Sequence, residues 1–246
     1  EPYEKLELPP PARLLLNSLA GLDVGLFPRP YVHQTQSLEA FFERKADLIV
    51  ATGTGSGKTE SFLMPILGQL AVEAMYRPQS AALSGIRALL LYPMNALVND
   101  QLSRIRRLFG SKRAAEAIRM GRALPVRFAS YTGRTAYPGP RSSSRDRERI
   151  EPLFEQFYLP ILNQPEKEEQ LRAIGQLPEK DLVKFFAKDA EEVQVTRTGK
   201  LKRLRNWKNR LFTQSDDREL MTRHETQARC PELLVTNYSM LEYMLM

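Results

Sequence analysis

One cysteine, Cys230, stands in 246 residues, so no disulfide forms within the chain and a cysteine-based zinc site is excluded. That thiol usage fits a reducing, cytoplasmic setting. Histidine is nearly as scarce, at two residues. Arg223-His224-Glu225 resembles half of a metal motif, but no second ligand cluster accompanies it, and it reads as structural. No apolar run is long enough to span a bilayer, and no charged-then-apolar leader opens the sequence, so no membrane partner is expected. Acid is in deficit: 29 Asp and Glu against 36 Lys and Arg leave a net charge of +7, which suits a polyanionic partner. A hydrophobic content of 42% and a charged content of 26% are those of an ordinary globular protein. The length fits one large domain, or one domain with an insertion. Glu1 at the start and the apolar Met244-Leu245-Met246 at the end lead us to expect a piece of a longer chain.

What is present is concentrated in one stretch, residues 51–60, Ala-Thr-Gly-Thr-Gly-Ser-Gly-Lys-Thr-Glu. It follows an apolar run at 47–50, expected to be a strand, and precedes a helix-like run at 62–70. Strand, glycine loop and helix in that order form a phosphate-binding P-loop. Gly53, Gly55 and Gly57 let successive backbone N–H groups converge on one anion, and the following helix adds its positive N-terminal end. Lys58 is the candidate for the β- and γ-phosphates, and Thr59 for Mg²⁺. Thr52, Thr54, Ser56 and Glu60 complete the loop. One residue departs from the strict pattern: Thr52 stands where it has glycine. The chain is therefore expected to bind a nucleoside triphosphate.

The rest of the sequence alternates strand and helix patterns. A Pro-rich stretch at 9–11 leads into a short helix from Ala12, and a turn-rich link at 26–30 follows. Residues 31–44 carry Leu38, Phe41 and Phe42 on one helical face, expected to pack on the first strand. Residues 86–92 and 126–131 read as strands, as does 233–235, with helices at 96–109 and 238–244. This alternation predicts an α/β fold with a mostly parallel sheet flanked by helices. Residues 136–230 break the rhythm and are too long for a connection, so we expect an insertion with its own small, partly helical structure. Phe154, Phe157, Tyr158 and Leu162 suggest one helix face there, and Leu182, Val183, Phe185 and Phe186 another. Arg197, Lys200, Lys202, Arg203, Arg205, Lys208 and Arg210 follow without an intervening acid, with Trp207 among them. This run suits either phosphate contacts with base stacking or a solvated basic helix or hairpin.

Four further motifs bear on ligands. Gln34 lies 24 residues before Lys58, and its amide has the donor and acceptor to read an adenine edge. Phe27 or Tyr31 would be the stacking surface. The alternative is an exposed glutamine at a helix N-terminus. Pro93, Asn95 and Gln101 follow the second strand, Thr132, Gly133 and Arg134 the third, and Thr236 and Asn237 the fourth. Each group alone is compatible with a tight turn. Together they form a row of strand-end contacts for a nucleic-acid strand.

The ordered set Gln34, 52–60, 92–101, 131–135 and 231–241 resembles the Q motif and motifs I, Ia and Ib of superfamily 2 helicases. It looks like the first RecA-like domain of a DEAD/DEAH-box enzyme. The wording Gly-Lys-Thr-Glu-Ser-Phe, Tyr-Pro-Met-Asn-Ala-Leu and Thr-Asn-Tyr-Ser-Met-Leu most resembles large bacterial YprA-like DNA helicases, some of them in anti-phage defence systems. The resemblance covers about residues 26–135 and 216–246. It implies ATP and Mg²⁺ as cofactors, adenine reading by Gln34, and strand contacts through Pro93, Asn95, Thr132, Gly133, Thr236 and Asn237. It further implies DNA in preference to RNA as partner, and a second RecA-like domain on this chain or another.

Such an enzyme also needs an Asp-Glu pair, and no Asp is followed by Glu anywhere in the sequence. We therefore expect residues 1–246 to be an N-terminal RecA-like domain that binds nucleotide but barely hydrolyses it alone. The leading expectation is an ATP-dependent helicase. A duplex translocase without unwinding comes next. Third is a non-hydrolysing nucleotide-gated clamp whose insertion docks a partner protein.

Overall fold

The computed structural model describes residues 2–53, 55–137, 139, 144–186, 191–205 and 213–246. In chain order they form α1 (Pro10–Ala20), α2 (Val32–Phe42), α3 (Lys58–Tyr76), a short α4 (Pro78–Ala81), β1 (Ala88–Tyr92), α5 (Asn95–Gly110), α6 (Lys112–Arg119) and β2 (Phe128–Tyr131). There follow α7 (Ser144–Pro152), a π-helical stretch (Leu153–Tyr158), α8 (Leu159–Leu162), α9 (Pro165–Ala173) and α10 (Leu182–Phe185). The remainder is β3 (Glu191–Val195), β4 (Leu201–Arg205), β5 (Glu219–Leu220), α11 (Arg223–Ala228), β6 (Leu233–Asn237) and α12 (Tyr238–Leu245). The chain groups into two compact units, residues 1–88 with 107–126, and residues 89–106 with 127–246.

The first unit is helical around α3. Pro10 and Pro11 stand in the first turn of α1, where a missing N–H costs no hydrogen bond. Ala12, Leu15, Leu16 and Leu19 then recur at helical spacing, and all are buried. Leu63, Met64, Leu67, Leu70 and Ala71 of α3 are buried as well, and α1 and α2 both pack on this helix. Tyr3 is fully buried beside it and donates its hydroxyl hydrogen to Met64 Sδ at 3.1 Å. Gly68 is required here, because a Cβ would come within 2.7 Å of the Phe42 ring. Phe42 thus lies on α3, where the sequence pattern suggested the first strand.

That strand is the main difference from expectation. Residues 47–50 form no strand, and Ile49 is 98% exposed. A β-strand exists only where a neighbour satisfies its N–H and C=O groups. Among the described residues no other strand pairs with this segment. At the far end of α3, Glu73 accepts from Ser80 at 2.7 Å and pairs with Arg87 at 3.1 Å and Arg122 at 3.5 Å. One carboxylate thereby gathers α3, α4 and the loop after α6.

The second unit holds a four-stranded sheet in the order β1-β6-β2-β5. β2 runs parallel to both neighbours, with Phe128 opposite Leu233 on one side and Glu219 on the other. β6 is buried along its whole length, as a near-continuous apolar strand in a parallel sheet should be. The strands and helices after the P-loop therefore fall where the alternation places them. β5 was not expected: the last part of the 136–230 segment adds an edge strand to the sheet, so the segment is not wholly an appendage.

Elsewhere in that segment Ile150, Phe154, Tyr158, Ile161, Leu177, Leu182, Phe185 and Phe186 form a hydrophobic cluster. Phe154 stacks on Phe186 with ring centroids 4.7 Å apart. Phe157 and Val183, grouped with these from sequence, are exposed. The basic run begins as an antiparallel hairpin, β3–β4, separate from the main sheet. Thr54, Trp207, Lys208 and Arg210 lie outside the described residues.

Candidate nucleotide and nucleic-acid sites

The glycine loop has the conformation its residues demand. Gly55 and Gly57 take φ of 75° and 77°, in the left-handed region that side chains disfavour. A Cβ at Gly53 or Gly55 would meet nothing within 4 Å, so the loop faces open space there. At Gly57 the reverse holds, with the Gln34 side-chain nitrogen 2.5 Å from where a Cβ would stand. Gly57 is the N-cap of α3 and offers no side chain to its first turn. The nineteen-residue helix thus presents uncapped N–H groups and the positive end of its dipole at the loop.

Lys58 is the first residue of α3, and its Nζ donates to the carbonyl oxygens of Thr52 (2.7 Å) and Gly53 (2.8 Å). The hydroxyls of Thr52 and Ser56 lie 2.6 Å apart, and Ser56 also donates to Gly53 O at 2.8 Å. The loop is closed on itself by small polar groups, with the ammonium across its mouth. Thr59 follows, half-buried in the first turn beside Glu60. Among the described residues no cluster of three or more His, Cys, Asp or Glu is placed to hold a metal ion.

Gln34 is buried and bonded at both ends of its amide. Its Oε1 accepts from Tyr31 N at 2.9 Å, capping α2, and its Nε2 donates to Gly57 O at 2.9 Å. In this conformation it ties α2 to the phosphate loop. The half-exposed Tyr31 ring stacks on His33, with centroids 5.8 Å apart and planes 9° apart, and it also borders Gly57. Phe27 is 61% exposed on the link before α2. An open cavity of about 500 Å³ lies along α2, lined by His33, Gln36 and Arg44 and by residues 48–52, not by Gln34.

In the second unit the sheet order sets β6 between β1 and β2, so three strand ends come into line. Asn237 caps α12 by accepting from Met240 N at 2.8 Å and donates to Asn95 Oδ1 at 2.6 Å. Thr236 donates to Tyr131 O across the sheet. Thr132 O accepts from Thr135 N at 3.1 Å, and Thr135 Oγ1 accepts from Thr132 N at 3.0 Å. Arg134 N donates to Thr132 Oγ1 at 3.2 Å, which leaves the Gly133 and Arg134 tip exposed. Pro93 is exposed at the end of β1. Burial pushes the neighbouring Tyr92 phenol up to about 12, with Asp100 adding to the rise and Arg104 opposing it. Gln101 departs from the row: it is buried on α5 and donates to Asp100.

Residues unnoticed in the sequence hold this arrangement. Arg223 donates to Thr132 O at 2.7 Å and lies over the Tyr131 ring, while Gln227 donates to the Tyr131 hydroxyl at 2.9 Å. Both come from α11, whose start was legible as a capping box: Thr222 accepts from Glu225 N at 3.2 Å, and Glu225 accepts from Thr222 N at 3.2 Å. Glu225 of the supposed half metal motif is thus a cap, and it also accepts from buried Lys180 at 2.5 Å.

A glycine loop leading into a helix with no side-chain cap, and a parallel sheet with flanking helices, are consistent with a RecA-like α/β domain. Residues 31–129 match the family model for the DEAD/DEAH box helicases. The chain is 58% identical over 250 residues to the Druantia protein DruE of Escherichia coli (strain UMEA 4076-1). That alignment covers 100% of this chain and 14% of the relative, so the chain spans about one-seventh of the curated protein it matches. No helix among the described residues is long and apolar enough to cross a membrane.

Proposed function

We propose that this chain is the ATP-binding half of an ATP-dependent nucleic-acid helicase that acts on DNA. The observation that carries the reading is the alignment of three strand ends, with Asn95, Asn237, Thr236 and the 132–134 turn side by side. Such a line of amide, hydroxyl and backbone groups suits a phosphate backbone read without regard to base. The basic balance of the chain and its likeness to DruE support a nucleic-acid track. The resemblance noted in the sequence, to helicases that include anti-phage defence proteins, supports the same reading.

Lys58, Thr59 and the amides of residues 53–57 are the groups that would hold ATP and Mg²⁺. Bound ATP supplies the phosphoanhydride whose cleavage drives stepping. Lys58 would reach phosphate oxygens by giving up the two neutral carbonyls it now holds for charge-assisted hydrogen bonds to an anion. Tyr31 offers a base-stacking face next to Gly57. The helicase reading also requires a carboxylate pair to orient Mg²⁺ and the attacking water, and no Asp is followed by Glu in this sequence.

ATPase activity of the full-length protein, measured with no polymer, single-stranded DNA, duplex DNA and RNA, tests this. We expect DNA-stimulated turnover that disappears in Lys58→Ala together with triphosphate binding. Stimulation by duplex without strand separation would identify a translocase. Binding without stimulated turnover would identify a nucleotide-gated clamp. Unchanged ATP affinity in Lys58→Ala would remove the P-loop assignment.

A further inference from the structure

The β3–β4 hairpin is a two-stranded sheet outside the main one, and such a ribbon has little stability of its own in water. Its register distributes charge unevenly along its length. At the base, Glu191 stands opposite Arg205 and Glu192 opposite Leu204. Toward the tip, Arg203 stands opposite Val193 and Lys202 opposite Gln194, so the register partner of neither cation is an acid. The turn adds Arg197 and Lys200, both exposed, around Gly199 at φ 74°. Thr196 pins that turn by accepting from Lys200 N at 3.0 Å and donating to Lys200 O at 2.9 Å. The last cross-strand pair, Val195 and Leu201, is 69% and 74% exposed. Two strands of five residues make an arm about 17 Å long, with two glutamates against one arginine at its base and cations with an apolar pair at its tip.

We infer that this hairpin is a second nucleic-acid contact, an arm that binds the sugar-phosphate backbone without base specificity. The inference rests on the helicase reading and adds to it a site outside the row of strand ends. Four cations gathered at one end of the ribbon match a polyanion, and the exposed apolar pair Val195 and Leu201 has sugars and base edges to pack against. Aliphatic side chains are used in this way where proteins engage nucleic-acid grooves. A lone salt-bridge surface for an acidic protein would not explain Val195 and Leu201.

The test is the salt dependence of binding by the full-length protein, read by fluorescence anisotropy with labelled single-stranded and duplex DNA. Each phosphate contact adds about 0.9 to the slope for duplex and about 0.7 for single strands. Combining Arg197→Ala, Lys200→Ala, Lys202→Ala and Arg203→Ala should lower the slope by about 3, with ATP affinity and far-ultraviolet circular dichroism unchanged. Val195→Ser with Leu201→Ser should weaken binding several-fold at an unchanged slope.

An unchanged slope in the quadruple variant, with wild-type protein still binding DNA, overturns the arm alone. Failure of the wild-type protein to bind any DNA or RNA overturns the helicase reading as well. Vesicles containing anionic phospholipid are the remaining probe. Binding to them that the quadruple variant loses, at an unchanged DNA slope, makes the hairpin a membrane-surface arm instead.

Discussion

At the scale of single residues, Gln34 is the clearest case of a side chain whose partners alter its reading. The sequence offered it as an adenine reader, yet both ends of its amide are committed, one to Tyr31 N and the other to Gly57 O. A net intramolecular hydrogen bond is worth about 1 kcal/mol, or about fivefold in affinity. Gln34→Ala should therefore weaken ATP and GTP about equally, because the loop that holds the phosphates loses its brace. Titration calorimetry with both nucleotides decides this, and a loss confined to ATP would restore the role of base reader.

Glu73 makes a second residue-scale prediction. Burial alone raises its pKa, but hydrogen bonds from Arg87 and Ser80 and the charges of Arg87 and Arg122 outweigh it and bring the value below 4.5. A carboxylate with a depressed folded-state pKa adds stability above its unfolded value and loses it as pH falls through the folded one. Wild-type protein should lose unfolding free energy as pH drops below about 4.5. Glu73→Gln should start lower at pH 7 and lose less over that range. Parallel wild-type and mutant curves in urea melts at several pH values would exclude this linkage.

Among the elements, the 136–230 segment is fastened to α5 by buried charge. Arg106 of α5 makes two hydrogen bonds to Glu219 of β5, at 2.8 and 2.6 Å, and Glu219 also accepts from Glu179 N. Lys180 sits between Asp217 (2.7 Å) and Glu225 (2.5 Å), all three side chains essentially inaccessible. Gly175, at φ 72°, lies so close to Ser103 that a Cβ would come within 2.0 Å of its carbonyl oxygen. Removing one member of a buried ion cluster leaves the others unpaired, at a cost of about 3–5 kcal/mol. Lys180→Met should destabilise the protein by about that much in chemical denaturation. A loss below about 1 kcal/mol would mean that water or a rearranged neighbour satisfies Asp217 and Glu225.

Across the whole molecule, the elements of ordinary length were readable. The runs at 86–92, 126–131 and 233–235 are apolar and β-branched enough to mark strands, and α3 and α5 follow from their helical spacing. The loop at 53–59 was legible because each residue type there serves a backbone or phosphate requirement. β5 escaped notice because two residues carry no periodicity, and a strand that short exists only because β2 offers a ladder beside it. The segment at 47–50 misled for the converse reason: its composition suits a strand, but no described neighbour pairs with it.

The sequence alone determined the glycine loop with its Lys58 and Thr59, the α/β alternation, the excess of positive charge and the lack of an Asp-Glu pair. These depend on residue type and local spacing, which need no partner from elsewhere in the chain. Tertiary structure alone decided that Gln34 grips Gly57, that Arg223 and Gln227 hold the turn after β2, and that Lys180 sits between two carboxylates. It also decided that β6 runs between β1 and β2, which brings Asn237 onto Asn95 from 142 residues away. Hydrogen bonds and ion pairs of this kind depend on distance in space, and spacing along the chain carries no record of it.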